Sequence, residues 1–252
     1  SKEHFESRDI KYICFHYMLD GVQYPDDLGQ TIKFKDFYTQ MANGAETRTS
    51  QVNVDEYIEY FSKLLDSGKD VLHLSFSSGL SGSSNSARIA SEELKDKYPN
   101  QKLYIVDSLA ASSGYGLFID KLADLRDEGL SIDDTYNWAL KNRLKMHHWF
   151  FSTDLTFYIK GGRVSKASGW FGTVLKICPL LNMDLNGKLV PRHKIRGKNA
   201  VINENVEKME QHAIDGINYD DKCYISHSNC LEDAKAVADL VKKKFNKIDG
   251  DI

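Results

Sequence analysis

The chain has 252 residues, with 33 Lys and Arg against 36 Asp and Glu, so its formal net charge at pH 7 is −3. This balance excludes the broad basic surface of a nucleic-acid-binding protein, and no apolar run approaches the roughly 18 residues of a membrane-spanning helix. A chain of this length corresponds to one large domain or two medium ones. The composition therefore predicts a soluble globular protein.

The first half of the chain predicts strands that alternate with helices. Strands are expected at residues 10–18, 70–76 and 103–106, and helices at residues 34–42, 53–67, 85–98, 110–126 and 135–145. The helix over 53–67 has the clearest signal, because its apolar residues recur every three or four positions. Strand–loop–helix units at this spacing are typical of a parallel α/β layer.

The pattern changes near His147. Short strands separated by Gly or Asn turns are expected at residues 149–152, 155–159, 178–183, 188–192 and 222–226, and helices at residues 203–216 and 231–245. Runs of strands with helices set apart favour an α+β arrangement. We therefore predict two domains, an N-terminal α/β domain over residues 1–147 and a C-terminal α+β domain over residues 148–252.

The four cysteines predict neither disulfides nor a metal site. Cys14, Cys178, Cys223 and Cys230 form no C-x-x-C pair, and no His lies at zinc-finger spacing from them. Reduced, partly buried thiols in a cytoplasmic protein are the expected state. We expect no metal and no cofactor.

The sequence indicates that both of its ends are truncated. Residues 1–6 contain no Met and no signal peptide, and they are typical of a helix whose preceding element is absent. At the other end a Lys-rich helix closes and the sequence stops at Ile252, where a further strand is expected.

The strongest signal for a ligand is the loop over residues 77–84, in which Ser and Gly follow a strand and run into a helix. Such a loop presents free N–H groups and hydroxyls at the positive end of the helix dipole, which suits an anionic group. The loop is not a P-loop, since no Gly-Lys-Ser/Thr follows, and it is not a nucleophile elbow. The alternative is an ordinary N-cap loop.

Two further polar segments are expected near this loop. Residues 49–51 (Thr-Ser-Gln) stand just before a helix, where the alternative role is that of a helix cap. Residues 107–108 (Asp-Ser) end a strand at the same relative place as Ser77, and in an open parallel sheet this edge binds ligands. The three segments together predict one crevice.

The second half contains two basic turns and one apolar segment. Residues 160–163 (Lys-Gly-Gly-Arg) and 195–198 (Ile-Arg-Gly-Lys) are the basic turns, and both are also explained as ordinary solvated turns. Residues 169–177 are apolar and aromatic, which is typical of a core helix but also suits a flexible wall over an apolar ligand. No Ser/His/Asp triad or metal cluster is evident, which argues against self-contained hydrolysis.

In this order, the motifs resemble those of the DegV family, the fatty-acid-binding subunits (FakB type) of bacterial fatty acid kinase. The resemblance rests on Thr49-Ser50-Gln51, Ser77-Ser78-Gly79-Leu80-Ser81-Gly82, Val106-Asp107-Ser108, residues 158–167 including Lys160-Gly161-Gly162-Arg163, Pro179 with Leu180-Leu181, and Arg196-Gly197-Lys198. Each motif alone is weak evidence for the family. The ordered set is specific for it, and the resemblance extends over almost the whole chain.

The resemblance implies a parallel-sheet α/β domain, a second domain with a mainly antiparallel sheet, and one fatty acid in a tunnel. By the match, Thr49 and Ser81 would hydrogen-bond the carboxylate. The other residues implied near the carboxylate are Ser50, Gly82 and Ser108. Arg163 and Arg196 correspond to basic residues near the headgroup and the kinase-docking face. The candidates for the apolar tunnel are Trp170, Phe171, Val174, Leu175 and Ile177. The family's Asp-Ser pair after its first strand and a Gly/His stretch near its C-terminus have no counterpart in this sequence.

The family resemblance thus implies a lipid carrier with no catalysis of its own. It would bind a long-chain fatty acid, present the carboxylate to a separate ATP-dependent fatty acid kinase, and carry the acyl-phosphate product. We expect no nucleic-acid partner, and the implied role allows transient contact with a membrane surface. The alternatives are a hydrolase or phosphotransferase that uses Ser81, which would need a general base in reach, and a sensor of small anions.

Overall fold

The computed structural model describes residues 1–165, 176–245, 247 and 248. Its helices are Lys2–Ser7 (α1), Phe34–Ala42 (α2), Val54–Leu65 (α3), Ser83–Leu94 (α4), Ser112–Asp127 (α5), Ile132–Asn142 (α6), Thr156–Lys160 (α7), Lys198–His212 (α8) and Leu231–Lys244 (α9). Its strands are His16–Leu19 (β1), Val22–Pro25 (β2), Thr47–Ser50 (β3), Val71–Ser75 (β4), Leu103–Asp107 (β5), Trp149–Phe151 (β6), Ile177–Met183 (β7) and Leu189–Arg196 (β8).

The described strands form parallel and antiparallel sheets. β4 and β5 pair in parallel, whereas β1 lies between β2 and β3 in an antiparallel sheet. Towards the C-terminus, β6, β7 and β8 form an antiparallel sheet in that order. The predicted class, a parallel α/β part followed by a part with an antiparallel sheet, is confirmed.

The chain divides into two compact units. One comprises residues 1–108 and 118–143, and the other comprises residues 109–117 and 144–252. The sequence places its domain boundary between His147 and His148, and that assignment stays a prediction.

Helix α3 begins where a reciprocal cap forms. Asn53 Oδ1 accepts a hydrogen bond from the Glu56 N–H at 2.9 Å, and Glu56 Oε2 accepts one from the Asn53 N–H at 2.8 Å. This arrangement satisfies two N–H groups that the first turn leaves free. The alternative in which residues 49–51 cap this helix is wrong, because Thr49 and Ser50 belong to β3.

The core of the first unit forms between α3 and α4. Tyr57, Phe61 and Leu65 follow one another at a spacing of four residues, so they share one buried face of α3. They cluster with small residues of α4, among them Ala87 and Ala90, which are fully buried. Burying a large apolar side chain of this kind contributes about 1.5–3 kcal/mol. The pairing of large and small residues brings α4 close to α3, and this fixes where α4 begins.

The second unit has a core between α8 and α9. Val206 of α8 clusters with Val237 and Val241 of α9 and with Phe245, and all four are buried. α8 starts directly after Gly197, whose φ of +93° is a conformation that favours glycine. The helix predicted over 203–216 therefore begins earlier, because the chain turns at Gly197.

The strand predicted over residues 155–159 is wrong, since most of this segment forms α7. Asp154 explains the difference, because its Oδ1 accepts hydrogen bonds from the Thr156 N–H at 2.8 Å and from Thr156 Oγ1 at 2.6 Å. These bonds form an Asx turn directly before the helix. Leu155 and Ile159, four residues apart, then lie buried on one face.

One further strand prediction fails among the described residues, and another holds only at its C-terminal end. Residues 222–226 are assigned to no strand, although Cys223 and Ile225 pack against the core of the second unit. Residues 10–15 are likewise outside β1, which begins only at His16. The apolar residues of both segments are partly buried, and apolar composition alone does not specify the backbone hydrogen bonds of a strand.

Candidate functional site

The carboxyl ends of β4 and β5 bring two of the predicted polar segments together. Ser75 is the register partner of Asp107, and the Ser108 N–H donates to the Ser75 carbonyl at 3.1 Å. The Ser78 N–H donates to Asp107 Oδ1 at 3.1 Å. The Ser/Gly loop and the Asp-Ser pair therefore meet at the sheet edge where open parallel sheets bind ligands.

The Ser/Gly loop is a tight turn closed by its first serine. The Ser77 carbonyl accepts hydrogen bonds from the N–H groups of Leu80 and Ser81, each at 3.1 Å. Ser77 Oγ accepts from the Gly79 N–H at 3.2 Å. The turn delivers the chain to Gly82, the N-cap residue of α4.

The start of α4 presents hydrogen-bond donors that the described part of the chain does not use. Ser81 Oγ accepts from the Ser83 N–H at 3.2 Å, and within the described residues its own O–H has no acceptor. The N–H groups of Gly82, Ser84 and Asn85 also lack a partner among these residues. The first turn contains no acidic residue. An acceptor-only anion matches this set of donors and the positive end of the helix dipole.

A buried tyrosine of α3 fixes the first residue of α4. Tyr57 Oη lies 2.7 Å from Ser83 Oγ, and both residues are buried. Burial raises the pKa of Tyr57, and its hydrogen bond with Ser83 opposes that shift. Tyr57 is therefore a neutral hydroxyl that holds Ser83 in place. The sequence predicts the helix that contains Tyr57 but gives this residue no role at the site.

The Thr-Ser-Gln segment reaches α4 through its glutamine. In β3, Thr49 and Ser50 are exposed and pair with residues of β1. Gln51 Nε2 donates to Ser86 Oγ at 3.2 Å, and Gln51 Oε1 lies against Gly82. Gln51 belongs to the Thr-Ser-Gln motif but is absent from the predicted site residues.

Ser108 and Arg143 lie on the β5 side of this edge. Ser108 is fully buried, whereas Ser81 is half-buried and Gly82 is exposed. Arg143 Nη1 donates to the Asp107 carbonyl at 3.0 Å, which places a guanidinium at the end of β5. Arg143 follows α6, and no local sequence signal identifies it.

The remaining predicted residues belong to the second unit. Arg163 is exposed and its Nη1 donates to the Gly161 carbonyl, and Arg196 is exposed at the end of β8. Ile177, opposite Arg196 in the β7–β8 ladder, is partly buried. The other tunnel candidates, Trp170, Phe171, Val174 and Leu175, lie outside the described residues.

A groove of about 290 Å³ runs along α3, separate from the start of α4. Its lining comprises Glu56, Glu59, Tyr60 and Lys63 of α3 together with Ile13, Cys14 and His16. None of these residues was predicted to contact a ligand. The groove is therefore not evidence for the predicted acyl tunnel.

The described residues lack three other features: a metal site, a base hydrogen-bonded to Ser81 and a membrane-spanning helix. They contain no group of three His, Cys, Asp or Glu side chains arranged to hold a metal ion. Within them, no imidazole or carboxylate hydrogen-bonds Ser81. None of the described helices has both the length and the apolar character needed to cross a membrane.

Comparison with known proteins identifies the family. The model of a family described as "Uncharacterised protein, DegV family" matches residues 1–252. This chain belongs to the DegV family. A DegV domain-containing protein of Clostridium perfringens is 33% identical over 237 residues, which are 94% of this chain and 81% of that protein. The family resemblance carried by the ordered motifs is confirmed.

Solved structures of DegV proteins share the fold of this chain. A DegV lipid binding protein from Thermotoga maritima has a TM-score of 0.81 and 24% identity, and the match covers 98% of this chain and 85% of that one. DegV from Bacillus subtilis, a fatty acid binding protein, has a TM-score of 0.79 and 24% identity, with 98% and 86% covered. The Fatty Acid Kinase B3 protein of Streptococcus pneumoniae, loaded with linoleic acid, has a TM-score of 0.77 and 20% identity, with 94% and 81% covered.

Proposed function

We propose that this DegV protein binds one long-chain fatty acid and holds its carboxylate at the start of α4. The observation that carries the proposal is the set of donors there without partners in the described chain, namely the Ser81 hydroxyl and the N–H groups of Gly82, Ser84 and Asn85. A carboxylate accepts hydrogen bonds on both oxygens and donates none, so it complements these donors. Thr49 and Ser50 supply two further hydroxyls from β3, and Ser108 is the deeper hydroxyl of the same edge.

Apolar burial supplies the affinity in this proposal. A sixteen-carbon chain gains roughly 11 kcal/mol of gross transfer free energy at about 0.8 kcal/mol per buried CH₂. Ordering and association consume part of this gain. The donors at α4 orient the headgroup and compensate a carboxylate that is costly to bury bare. The fatty acids held by structural relatives support this assignment.

We further propose that the carrier has no catalysis of its own and delivers the carboxylate to a separate ATP-dependent kinase. A carboxylate oxygen would attack the γ-phosphorus of ATP, the bond to ADP would break, and an acyl phosphate would remain on the carrier. Hydroxyls and amides suit this step better than a tight guanidinium clamp, because the carboxylate must stay nucleophilic. The family membership and the kinase-associated relative support the kinase partner.

The absence of a base at Ser81 within the described residues supports a carrier over a serine hydrolase. A hydrolase or phosphotransferase needs a group that accepts the serine proton. Arg163 and Arg196 are exposed cations suited to contact the kinase or the phosphoryl group.

Lipid retention tests the fatty acid assignment. We expect native mass spectrometry of the purified chain to show one bound long-chain fatty acid, and the delipidated chain to bind palmitate. The Thr49→Ala/Ser81→Ala double variant should lose at least about tenfold in palmitate affinity, since two hydroxyl contacts disappear. Thr39→Ala/Ser91→Ala is the matched control, because these hydroxyls bond only to carbonyls of their own helices. An empty chain that also fails to bind palmitate contradicts the proposal.

Phosphorylation of the bound fatty acid by the kinase tests the proposed role of Arg163 in the second unit. We expect Arg163→Ala to slow acyl-phosphate formation by the kinase while palmitate affinity stays within about twofold, as for a rim charge that governs encounter. Arg192→Ala is the control, since Arg192 is an exposed β8 residue that bonds to Asn182. Loss of palmitate affinity with normal phosphorylation of the bound fraction contradicts this role.

A further inference from the structure

The side chain of Gln51 lies across the start of α4. Its Nε2 donates to Ser86 Oγ at 3.2 Å. An ideal Cβ placed on Gly82 would lie 2.2 Å from Gln51 Oε1 but 3.2 Å from Nε2, so the oxygen is the carboxamide atom that faces Gly82. Ser86 is buried and Gln51 is exposed. The carboxamide is therefore anchored through its nitrogen to the body of α4, and its oxygen covers the N-cap residue.

This orientation of the Gln51 carboxamide is incompatible with a carboxylate bound beside Gly82. Gln51 Oε1 and a carboxylate oxygen are both acceptors, so neither can donate to the other and they repel when both lie beside Gly82. Rotation about the last side-chain torsion exchanges Oε1 with Nε2, and this torsion has broad, roughly two-fold preferences. The exchange leaves the backbone of β3 and α4 where they are.

Ser86 can hydrogen-bond the Gln51 carboxamide in either orientation, so the exchange of Oε1 and Nε2 is reversible. A hydroxyl both donates and accepts, so Ser86 Oγ can accept from Nε2 in one orientation and donate to Oε1 in the other. Gly82 is equally necessary, because a side chain at this position would meet the carboxamide at 2.2 Å. The backbone of Gly82 is helical, so its lack of a side chain serves this close approach and no unusual φ.

We propose that Gln51 is a headgroup latch that turns over when a carboxylate binds, an inference that rests on the proposed fatty acid function. In the closed orientation Oε1 covers Gly82 at the positive end of α4. In the open orientation Nε2 donates to the carboxylate and the Ser86 hydroxyl donates to Oε1. The latch makes Gln51 a specificity residue that favours an acceptor-only headgroup over a neutral one.

Binding measurements on the delipidated full chain test the latch with palmitate and hexadecanol as probes. Gln51→Glu cannot donate and adds a negative charge, so palmitate affinity should fall at least about tenfold while hexadecanol affinity stays within about twofold. Gln51→Ala should lose a few-fold for palmitate only. Gln40→Glu, on the exposed face of α2, carries the same charge change and should bind both probes like the wild type.

A spectroscopic readout follows the rotation itself. In the ¹⁵N-labelled chain, the side-chain NH₂ resonances of Gln51 should shift on saturation with palmitate and stay in place with hexadecanol. Resonances that do not respond to palmitate overturn the latch.

The outcomes separate the latch from the function on which it rests. If Gln51→Glu binds palmitate like the wild type while Thr49→Ala/Ser81→Ala loses it, the latch is wrong and the fatty acid site stands. If the wild type binds no palmitate, both are overturned.

Discussion

The hydroxyls of Tyr57 and Ser83 lie 2.7 Å apart in the interior of the first unit. This contact joins the buried face of α3 to the first residue of α4. Because Ser83 follows Gly82 directly, this contact also positions the N–H groups at the start of α4 that have no partner among the described residues. The apolar packing of α3 and the polar geometry of the candidate headgroup site are thus coupled through one hydrogen bond.

Removing this hydroxyl should lower both stability and affinity. Tyr57→Phe keeps the ring packed but leaves Ser83 Oγ buried without a partner, at a cost of about 1–3 kcal/mol in the free energy of unfolding. Urea unfolding measures this loss, and palmitate titration should show weaker binding. Tyr60→Phe on the same helix is the control, because the Tyr60 hydroxyl makes no hydrogen bond in the described chain. Equal effects of the two variants would contradict the coupling.

Two glycines of α5 should respond oppositely to alanine. An ideal Cβ on Gly114 would lie 2.0 Å from His148 Nε2, whereas among the described residues one on Gly116 would meet only Tyr224, at 3.7 Å. Gly114→Ala should therefore destabilise the chain by about 1–3 kcal/mol through overpacking. Gly116→Ala should be neutral or stabilise by up to about 1 kcal/mol, because alanine favours the helix. Thermal unfolding of both variants checks the contrast, and a stable Gly114→Ala would show that His148 moves aside without cost.

Two buried histidines should make the fold sensitive to acid. Burial lowers the pKa of His73 and of His148 to about 4. An unfolded imidazole titrates near pH 6.5, so between about pH 6.5 and 4 the unfolded chain binds more protons than the folded chain. The free energy of unfolding must then fall as pH falls through this window, by up to roughly 3 kcal/mol per histidine at pH 4.

Substitution of one of these histidines isolates the effect. The Nε2 of His73 is buried without a partner among the described residues, so His73→Phe removes no hydrogen bond at this atom. It should flatten the decline of stability between about pH 6.5 and 4. Urea unfolding at pH 7 and pH 5 provides the measurement, with His193→Gln on the exposed part of β8 as the control. An unchanged pH slope in His73→Phe would refute this assignment.

An arginine after α1 should be far more important for stability than a lysine within α1. The guanidinium of Arg8 donates at 2.8–2.9 Å to three carboxylates, those of Asp120, Asp124 and Asp127. The Asp120 side chain is only 2% exposed, so Arg8→Gln leaves a buried charge without this partner and should cost about 3 kcal/mol.

Lys2→Gln is the matched control for Arg8→Gln. Lys2 forms an exposed pair with Glu6 at 3.6 Å, and surface pairs contribute about 0–1 kcal/mol. Thermal unfolding of the two variants should differ clearly. Similar transitions would mean that water, or His4 with its Nε2 2.9 Å from Asp120 Oδ1, compensates the loss of the guanidinium.

Sequence signals succeeded where the physical cause is local. The Ser/Gly loop lies between a strand and a helix, and its residues hydrogen-bond one another within four positions. Helix α2 coincides with the predicted residues 34–42. In both cases neighbouring residues determine the conformation.

The same signals failed where a distant partner decides. Residues 222–226 have the composition of a strand but are assigned to no strand. Strand formation depends on hydrogen bonds to another segment, which composition does not encode.

The sequence by itself determined the family, the fold class and the order of the polar segments along the chain. Only the tertiary structure decided which side chains of these segments meet. Tyr57 contacts Ser83 across 26 positions, and Gln51 contacts Ser86 across 35. The packing of α3 against α4 brings the first pair together, and the position of the chain just after β3 brings the second together. These contacts follow from how helices and strands pack, so no local pattern in the sequence encodes them.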